Sequence, residues 1–260
     1  MATVAAMIPV LLGSTRVPDK NILLVDGRVL CSYSIEACKE SGAFSEVYLN
    51  SEDGVFAEIA ENEGALFHRR PPEFGGRKCR QKTKSRDCAG KRCVTNEHYL
   101  YHFMTTGTDA EYVCQVNATS PLLKPETMRD FVDTMVREGY DSCFATEEVS
   151  AESFYQGNAV THSCKFKRPS NEIEPIQVVC WSIAGWRRDA YIASYELDDI
   201  NEDGPVFVGK RGLFPIDERE ALDIDTWPTL DVIEKYLIAR RTGETGREWS
   251  YIDGRTITGG

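Results

Sequence analysis

The sequence predicts an α/β fold, a mostly parallel sheet with helices on both faces, on three observations. Over the first 150 residues, apolar runs of strand length alternate with stretches whose apolar residues recur at helical spacing. The earliest run, Met7 to Leu12, is continuous, as in a strand buried on both faces. It ends in Gly13-Ser14, a loop signal.

The elements follow in order. Cys31, Ile35 and Cys38 repeat at helical spacing, and Gly42 supplies a C-terminal stop. Val47 to Leu49 reads as a strand, Val55 to Glu63 as a helix and Ala65 to Phe67 as a strand. Asn96 to Met104 reads as a helix, Tyr112 to Val116 as a strand, Pro125 to Glu138 as a helix and Asp141 to Ala145 as a strand. Strand and helix units of this length imply right-handed crossovers and a Rossmann-like sheet. Two regions break the rhythm. Residues 77–92, RKCRQKTKSRDCAGKR, hold eight basic residues against one acid and no apolar face, which marks an exposed insertion. From about Ser150 to Gly212 the pattern is irregular, with strand candidates at Ile176 to Trp181 and Pro205 to Val208. A last helix starts near Pro228 with Leu230, Ile233 and Leu237 on one face and Gly243 after it.

The expected organisation is an α/β core over 1–148 that carries the basic insertion 77–92, a smaller lobe or dimerisation arm over 149–212, a return to the core over 213–243 and a polar tail over 244–260. No internal repeat is present.

The chain has 260 residues, with Lys+Arg 30 against Asp+Glu 41, a formal net charge of −11. That balance disfavours a general nucleic-acid surface or a polybasic membrane anchor, so any basic function is local. The apolar stretch from Val4 to Leu12 is too short to span a bilayer and lacks the cationic run of a secretory signal, so a soluble cytoplasmic protein is expected. Nine cysteines do not imply a disulfide framework: the number is odd and a chain this long can bury a core unaided. Cys31, Cys38, Cys114, Cys143 and Cys180 lie in apolar segments, where a thiol packs as a small hydrophobe.

The segment IPVLLGSTRVPDKN, positions 8 to 21, carries the most chemistry. A buried strand followed by a loop with Gly, Ser, Thr, Arg and Lys puts backbone N–H groups and two cations at the C-terminal edge of a sheet, where α/β folds bind ligands. That suits a polyphosphate; an ordinary strand-to-helix loop with solvated charges fits as well. It is not a P-loop, since the G-x-x-x-x-G-K-[ST] pattern is absent.

This segment resembles the opening of the acylneuraminate cytidylyltransferases, I-P-A-R-G-G-S-K-G-x-P-x-K-N, at Ile8, Pro9, Gly13, Ser14, Pro18, Lys20 and Asn21. It is similar to the S-T-R-L-P-G-K loop of the related octulosonate enzymes through Ser14, Thr15, Arg16, Pro18 and Lys20. Further along, Arg70-Pro71-Pro72-Glu73 resembles R-P-x-E, Asn117 to Leu122 resembles Q-P-T-S-P-L, and Asp223 to Thr226 matches D-I-D-T. The resemblance implies a nucleotide-diphospho-sugar transferase type of fold. It further implies a magnesium-dependent transferase that joins CMP from CTP to an acidic sugar and releases pyrophosphate, acting as a homodimer with CTP and an anionic acceptor as partners. By the same implication Lys20 and Arg16 are the catalytic cations facing the triphosphate. Leu11, Gly13, Ser14, Asn21, Arg70, Asn117 and Ser120 bind nucleotide, and Asp223 and Asp225 hold Mg²⁺.

The motif departs from the family at Leu11, where an Arg is usual, and at Asn117, where Gln is usual; N-G-A-I-Y is only echoed by Trp181 to Trp186. Read without the resemblance, Asp223 and Asp225 fit an acidic turn that favours a helix start. The basic insertion reads either as a solvated loop or as a clamp for an anionic substrate, and Cys79, Cys88, Cys93, His98 and His102 have the residue types of a zinc site without a common zinc spacing. Two rivals to the acidic-sugar reading remain: a cytidylyltransferase for a phosphonate or other anion, and a non-catalytic relative whose basic insertion binds an acidic partner.

Overall fold

A computed structural model describes residues 2–75, 87–88, 91–92, 96–163, 165–197, 205–243, 248–250 and 256–258. Seven strands build the central sheet: β1 (Val4–Pro9), β2 (Glu46–Ser51), β3 (Leu66–Arg69), β4 (Tyr112–Val116), β5 (Ser142–Val149), β6 (Ile176–Arg187) and β7 (Arg211–Pro215). Their order is β7-β5-β6-β4-β1-β2-β3, with β6 antiparallel to both its neighbours and every other pair parallel. The mostly parallel sheet is as the sequence predicts.

Helices α1 (Leu30–Ser41), α2 (Val55–Asn62) and α4 (Pro125–Glu138) lie over one face, α3 (Asn96–Thr106) and α5 (Arg188–Glu196) over the other, and α6 (Trp227–Thr242) follows the acidic motif. Strand alternation drives this layering. In β1, Ala6 and Ile8 join the α1–α4 core while Met7 between them joins the α3–α5 core. In β4, Cys114 faces the first core and Val113 the second. Phe131 and Phe56 on one side and Phe103 and Trp186 on the other are fully or almost fully buried, each adding roughly 1.5–3 kcal/mol of transfer free energy. Helix α1 stops as expected at Gly42, whose φ of 65° is left-handed. Cys31, Cys38, Cys114 and Cys143 are buried and Cys180 half-buried. Burial pushes the Cys31 and Cys143 thiols up to about 12, which keeps them protonated and inert.

Several expected boundaries move. Strand β1 starts at Val4 and ends at Pro9, so Val10 to Leu12 belong to the loop; the Val10 N–H still reaches the Asn50 carbonyl, but no ladder continues. The strand expected at Ala65 to Phe67 runs over Leu66–Arg69, and that expected at Asp141 to Ala145 runs over Ser142–Val149. Pro205 to Val208 is not a strand: Pro205–Phe207 forms a 3₁₀ turn, held where the Val206 carbonyl accepts from the Trp186 indole at 2.7 Å.

The stretch 149–212 does not stand apart from the core throughout, because β6 runs on past Trp181 to Arg187 and its buried half, Ser182 to Trp186, sits between β4 and β5. Helix α5 and edge strand β7 went unread: α5 buries one residue, Tyr191, and β7 one, Gly212. Before β6 the described residues of the stretch hold a small hairpin, Phe154–Tyr155 with Asn158–Ala159, and a 3₁₀ turn.

Of the basic insertion, only the antiparallel pair Asp87–Cys88 and Lys91–Arg92 is described. The clamp expected there and the thiols of Cys79, Cys88 and Cys93 lie outside the described residues. His98 and His102 are partly buried on α3. Among the described residues no helix is long and apolar enough to cross a membrane.

Candidate active site

Neighbouring strands β1 and β4 connect onward in opposite directions, β1 to β2 on one side and β4 beside β6 on the other. Such a switch in strand order leaves a crevice at the carboxyl ends of the strands. A cavity of about 390 Å³ lies there. Pro9, Leu11, Ser14, Arg16, Lys20 and Asn21 line it from the loop after β1, and Arg70 and Phe74 from beyond β3. Asn96 and Tyr99 contribute from α3, Gln115 from β4, Asn117 to Thr119 from the following turn, and Trp181 from β6.

Local chemistry shapes the first loop. Gly13 takes φ 86°, and its N–H donates to the Asp19 carboxylate, which closes the turn. Buried Asn21 donates from its side-chain amide to the Leu11 carbonyl at 3.0 Å. Gly13 and Asn21 therefore set the path of the loop, with Asn21 also reaching the lining. Arg16 and Lys20 both converge on the acidic motif: Arg16 Nη2 lies 2.7 Å and Lys20 Nζ 3.2 Å from Asp225 Oδ1, and Lys20 also donates to the Ile224 carbonyl.

That acidic motif is ordered by alternation. Ile224 is fully buried against Val17, Leu30, Leu230 and Ile233, which turns Asp223 and Asp225 together to the other side. The Ile224 N–H donates to the Thr119 carbonyl at 2.9 Å, and the Thr119 hydroxyl donates to Asp223 Oδ1. Burial pushes the Asp223 carboxyl above its ordinary range; the Thr119 hydrogen bond and the Lys20 charge oppose that, and the neighbouring Asp225 adds to it. Neither acid caps α6: Thr226 is the cap, its hydroxyl accepting from the Thr229 N–H.

Two residues expected at the nucleotide are also held by the protein itself. Arg70 touches the cavity, but its guanidinium donates to Glu52, Asn50 and the Val10 carbonyl and is 2% exposed, so it braces the loop. Ser120 is buried off the lining, its N–H closing a turn onto the Asn117 carbonyl at 3.2 Å. Conversely, Thr119, Gln115, Tyr99, Phe74, Asn96 and Trp181 line the cavity without having been expected as site residues. A signal existed for Gln115, the polar residue in an otherwise apolar strand; its amide donates to Asn117 Oδ1 at 3.2 Å and accepts from the Tyr99 hydroxyl at 3.4 Å. Thr119 lay within the segment that resembles Q-P-T-S-P-L and Trp181 at the start of the weak N-G-A-I-Y echo; Phe74, Asn96 and Tyr99 had no signal.

Two carboxylates on one loop, one of them destabilised as an anion by burial and by its neighbour, are a donor set that a hard divalent cation relieves. Among the described residues no group of three or more metal-type side chains converges.

Fold and site together define an α/β protein with a ligand crevice at the carboxyl edge of a mostly parallel sheet. Residues 5–91 match the family model described as cytidylyltransferase, which bears out the resemblance read from the first loop. An N-acylneuraminate cytidylyltransferase A from Danio rerio is 29% identical over 133 residues, 51% of this chain and 27% of that protein. A pseudaminic acid cytidylyltransferase from Campylobacter jejuni is 32% identical over 142 residues, 55% of this chain and 57% of that one. The matched stretches thus span between about a quarter and a little over half of these relatives. Among solved structures, a CMP:2-keto-3-deoxy-manno-octonic acid synthetase complexed with CTP superposes with a TM-score of 0.63 at 13% identity, covering 92% of this chain and all of that one. The 4-diphosphocytidyl-2C-methyl-D-erythritol synthase of Anaerococcus prevotii gives 0.62 at 11% identity, covering 91% and 99%. At such identities the likeness establishes the fold.

Proposed function

We propose that the protein transfers CMP from CTP to a hydroxyl of an acidic sugar, with release of pyrophosphate. The observation that carries this reading is the meeting of Arg16 and Lys20 with Asp225 beside Asp223, at the mouth of a crevice walled by backbone-ordering residues and side-chain amides. The acceptor hydroxyl oxygen attacks the α-phosphorus, the bond from it to the bridging oxygen breaks, and the electron pair leaves with pyrophosphate while the hydroxyl proton passes to solvent. Arg16 and Lys20 would exchange their pairing with Asp225 for the phosphate oxygens and so offset the charge that builds on the leaving group. Gln115 and Asn117 present amide donors and acceptors to the ligand. Asp223 and Asp225 are the residues that would hold Mg²⁺, which when bound neutralises phosphate charge as a Lewis acid.

A homodimer in the cytoplasm belongs to the same proposal. For the dimer, the support is the exposure of Phe154, Tyr155, Val160 and Phe166, apolar side chains that a single copy leaves uncovered. Pyrophosphate release, measured across CTP, UTP, ATP and GTP with a panel of acidic sugars, tests the central claim. CTP with at least one acidic sugar should turn over best. Equal use of ATP or UTP removes the cytidylyl assignment, and no release at all removes the function.

A further inference from the structure

Strand β6 does not run evenly through the sheet. Val179 lies opposite Thr146 and Ala184 opposite Phe144, so β6 advances by five residues where β5 advances by two. The surplus forms a bulge, a device that re-aims side chains beside active sites. Ser182 anchors it: fully buried, it accepts from the Asn117 backbone N–H at 3.1 Å and donates from its hydroxyl to the Glu220 carbonyl at 2.9 Å.

Its neighbour Trp181 takes φ 62°, left-handed backbone that a bulky side chain adopts only at a cost in energy. A glycine or asparagine would take that backbone with less strain. The ring sits edge-on to Phe144 at 5.7 Å and to Phe207 at 6.2 Å, lines the cavity, and still leaves 36% of the residue exposed. A strained backbone thus holds a large aromatic face open and already oriented.

Trp181 is also linked to the acidic pair through its neighbours. Ser182 bonds Asn117, and two residues further on Thr119 bonds Asp223. This part of the lining leads to the acidic pair, the end at which the α-phosphorus has to lie if those acids carry the metal. The group that approaches the α-phosphorus there is the acceptor, whereas the base is held away from it by the ribose.

We infer that Trp181 selects the acceptor, its indole face receiving the apolar C–H face of the acidic sugar. The inference rests on the cytidylyltransferase reading above. An acidic sugar offers charge and hydroxyls on its edges and C–H groups on its face, and an aromatic wall discriminates by the latter.

The test uses Trp181→Asn and Trp181→Gly, both of which accept the left-handed backbone, with KM for each substrate from pyrophosphate release and Tm from calorimetry. The acceptor KM should rise about tenfold, the equivalent of about 1.4 kcal/mol of lost contact, with the CTP KM within about twofold of wild type. The Tm should stay within a few degrees, because relief of the strained backbone offsets lost packing. A ring needed only for packing would lower Tm and leave the acceptor KM in place. An unchanged acceptor KM overturns the inference, and so does a rise confined to the CTP KM. Should the small variants fail to fold, Trp181→Leu keeps apolar bulk against Phe144 and Phe207 without the indole, and its acceptor KM decides in the same way. Wild type that releases no pyrophosphate with any acidic sugar overturns the functional reading itself; wild-type release with an unaltered acceptor KM in the variants overturns only the role of Trp181.

Discussion

Arg70 Nη2 donates to the Val10 carbonyl at 2.8 Å and so ties the end of β3 to the loop that follows β1. The same guanidinium donates to Asn50 Oδ1 at 3.2 Å and Glu52 Oε2 at 2.8 Å and lies over the Tyr99 ring at 5.3 Å. One buried side chain therefore satisfies three acceptors on two strand ends and fixes where Leu11 to Ser14 can run. Arg70→Met should lower unfolding free energy by about 2–4 kcal/mol in urea titrations, since it leaves Glu52 and a buried carbonyl without their partner. Arg70→Lys should recover only part of it, because an ammonium does not span three acceptors in a plane. A loss under about 1 kcal/mol in the Met variant contradicts the brace.

The acidic pair should separate activity from stability. Arg16 and Asp225 are 66% and 37% exposed at their side chains, so their ion pair is well screened and contributes little to folding. Asp225→Asn should therefore leave Tm almost unchanged while lowering kcat by about 10²–10³-fold, the scale of losing a charge that acts on the transition state. Asp223→Asn should act in the same direction. Near-normal turnover of both variants removes them from the site.

Legibility in the sequence followed how local the cause was. Strand β4 and helix α4 match the expected spans residue for residue, because an apolar run and a Pro-to-Gly helix frame are local signals. Strand β1 ends earlier than expected: apolar character continues through Leu12, but there the loop buries Val10 and partly buries Leu11 and Leu12 without a ladder. The acidic motif was legible through its likeness to D-I-D-T, and the loop through its glycine, cations and asparagine. Trp181 and Phe74 were not, because a bulge held by Asn117 and Glu220, and a turn after β3, bring them in from distant segments. Arg70 was found, but its hydrogen bonds to Glu52, Asn50 and the Val10 carbonyl were not, since sequence carries no count of its partners.

At Gly185, β6 leaves no room for a side chain beneath α4. A Cβ there would fall 2.5 Å from the Met135 sulfur and 3.0 Å from Cys114 Sγ, both buried. Gly185→Ala should cost about 1–3 kcal/mol by overpacking. Met135→Ala should destabilise alone by leaving a cavity, yet the two together should be less harmful than the sum of their separate effects, which a double-mutant cycle measures. Simple additivity would show that the contact is not the cause.

Histidine 68 gives the fold a dependence on acid. Asn50 Oδ1 is committed to Arg70, so the Asn50 amide donates to His68 Nδ1 at 2.7 Å; His68 Nε2 then carries the hydrogen and donates to the Thr106 hydroxyl at 3.1 Å. Protonating Nδ1 would set one donor against another. Burial, then the neighbouring His102 and Arg70 charges, lowers its pKa to about 4. The sign follows: between about 6.5 and about 4 the unfolded chain holds a proton at this residue that the folded chain refuses, so folding stability is lost as pH falls through that window. Above about 6.5 both states are neutral here and the contribution is constant. His68→Gln has no group that titrates in that range, so the Tm of wild type minus that of the variant should hold steady above neutrality and shrink from pH 6.5 toward 4. Taking the difference cancels the carboxylates that titrate in the same range. A difference that stays flat across the window, or grows on acidification, contradicts the neutral tautomer inferred for His68.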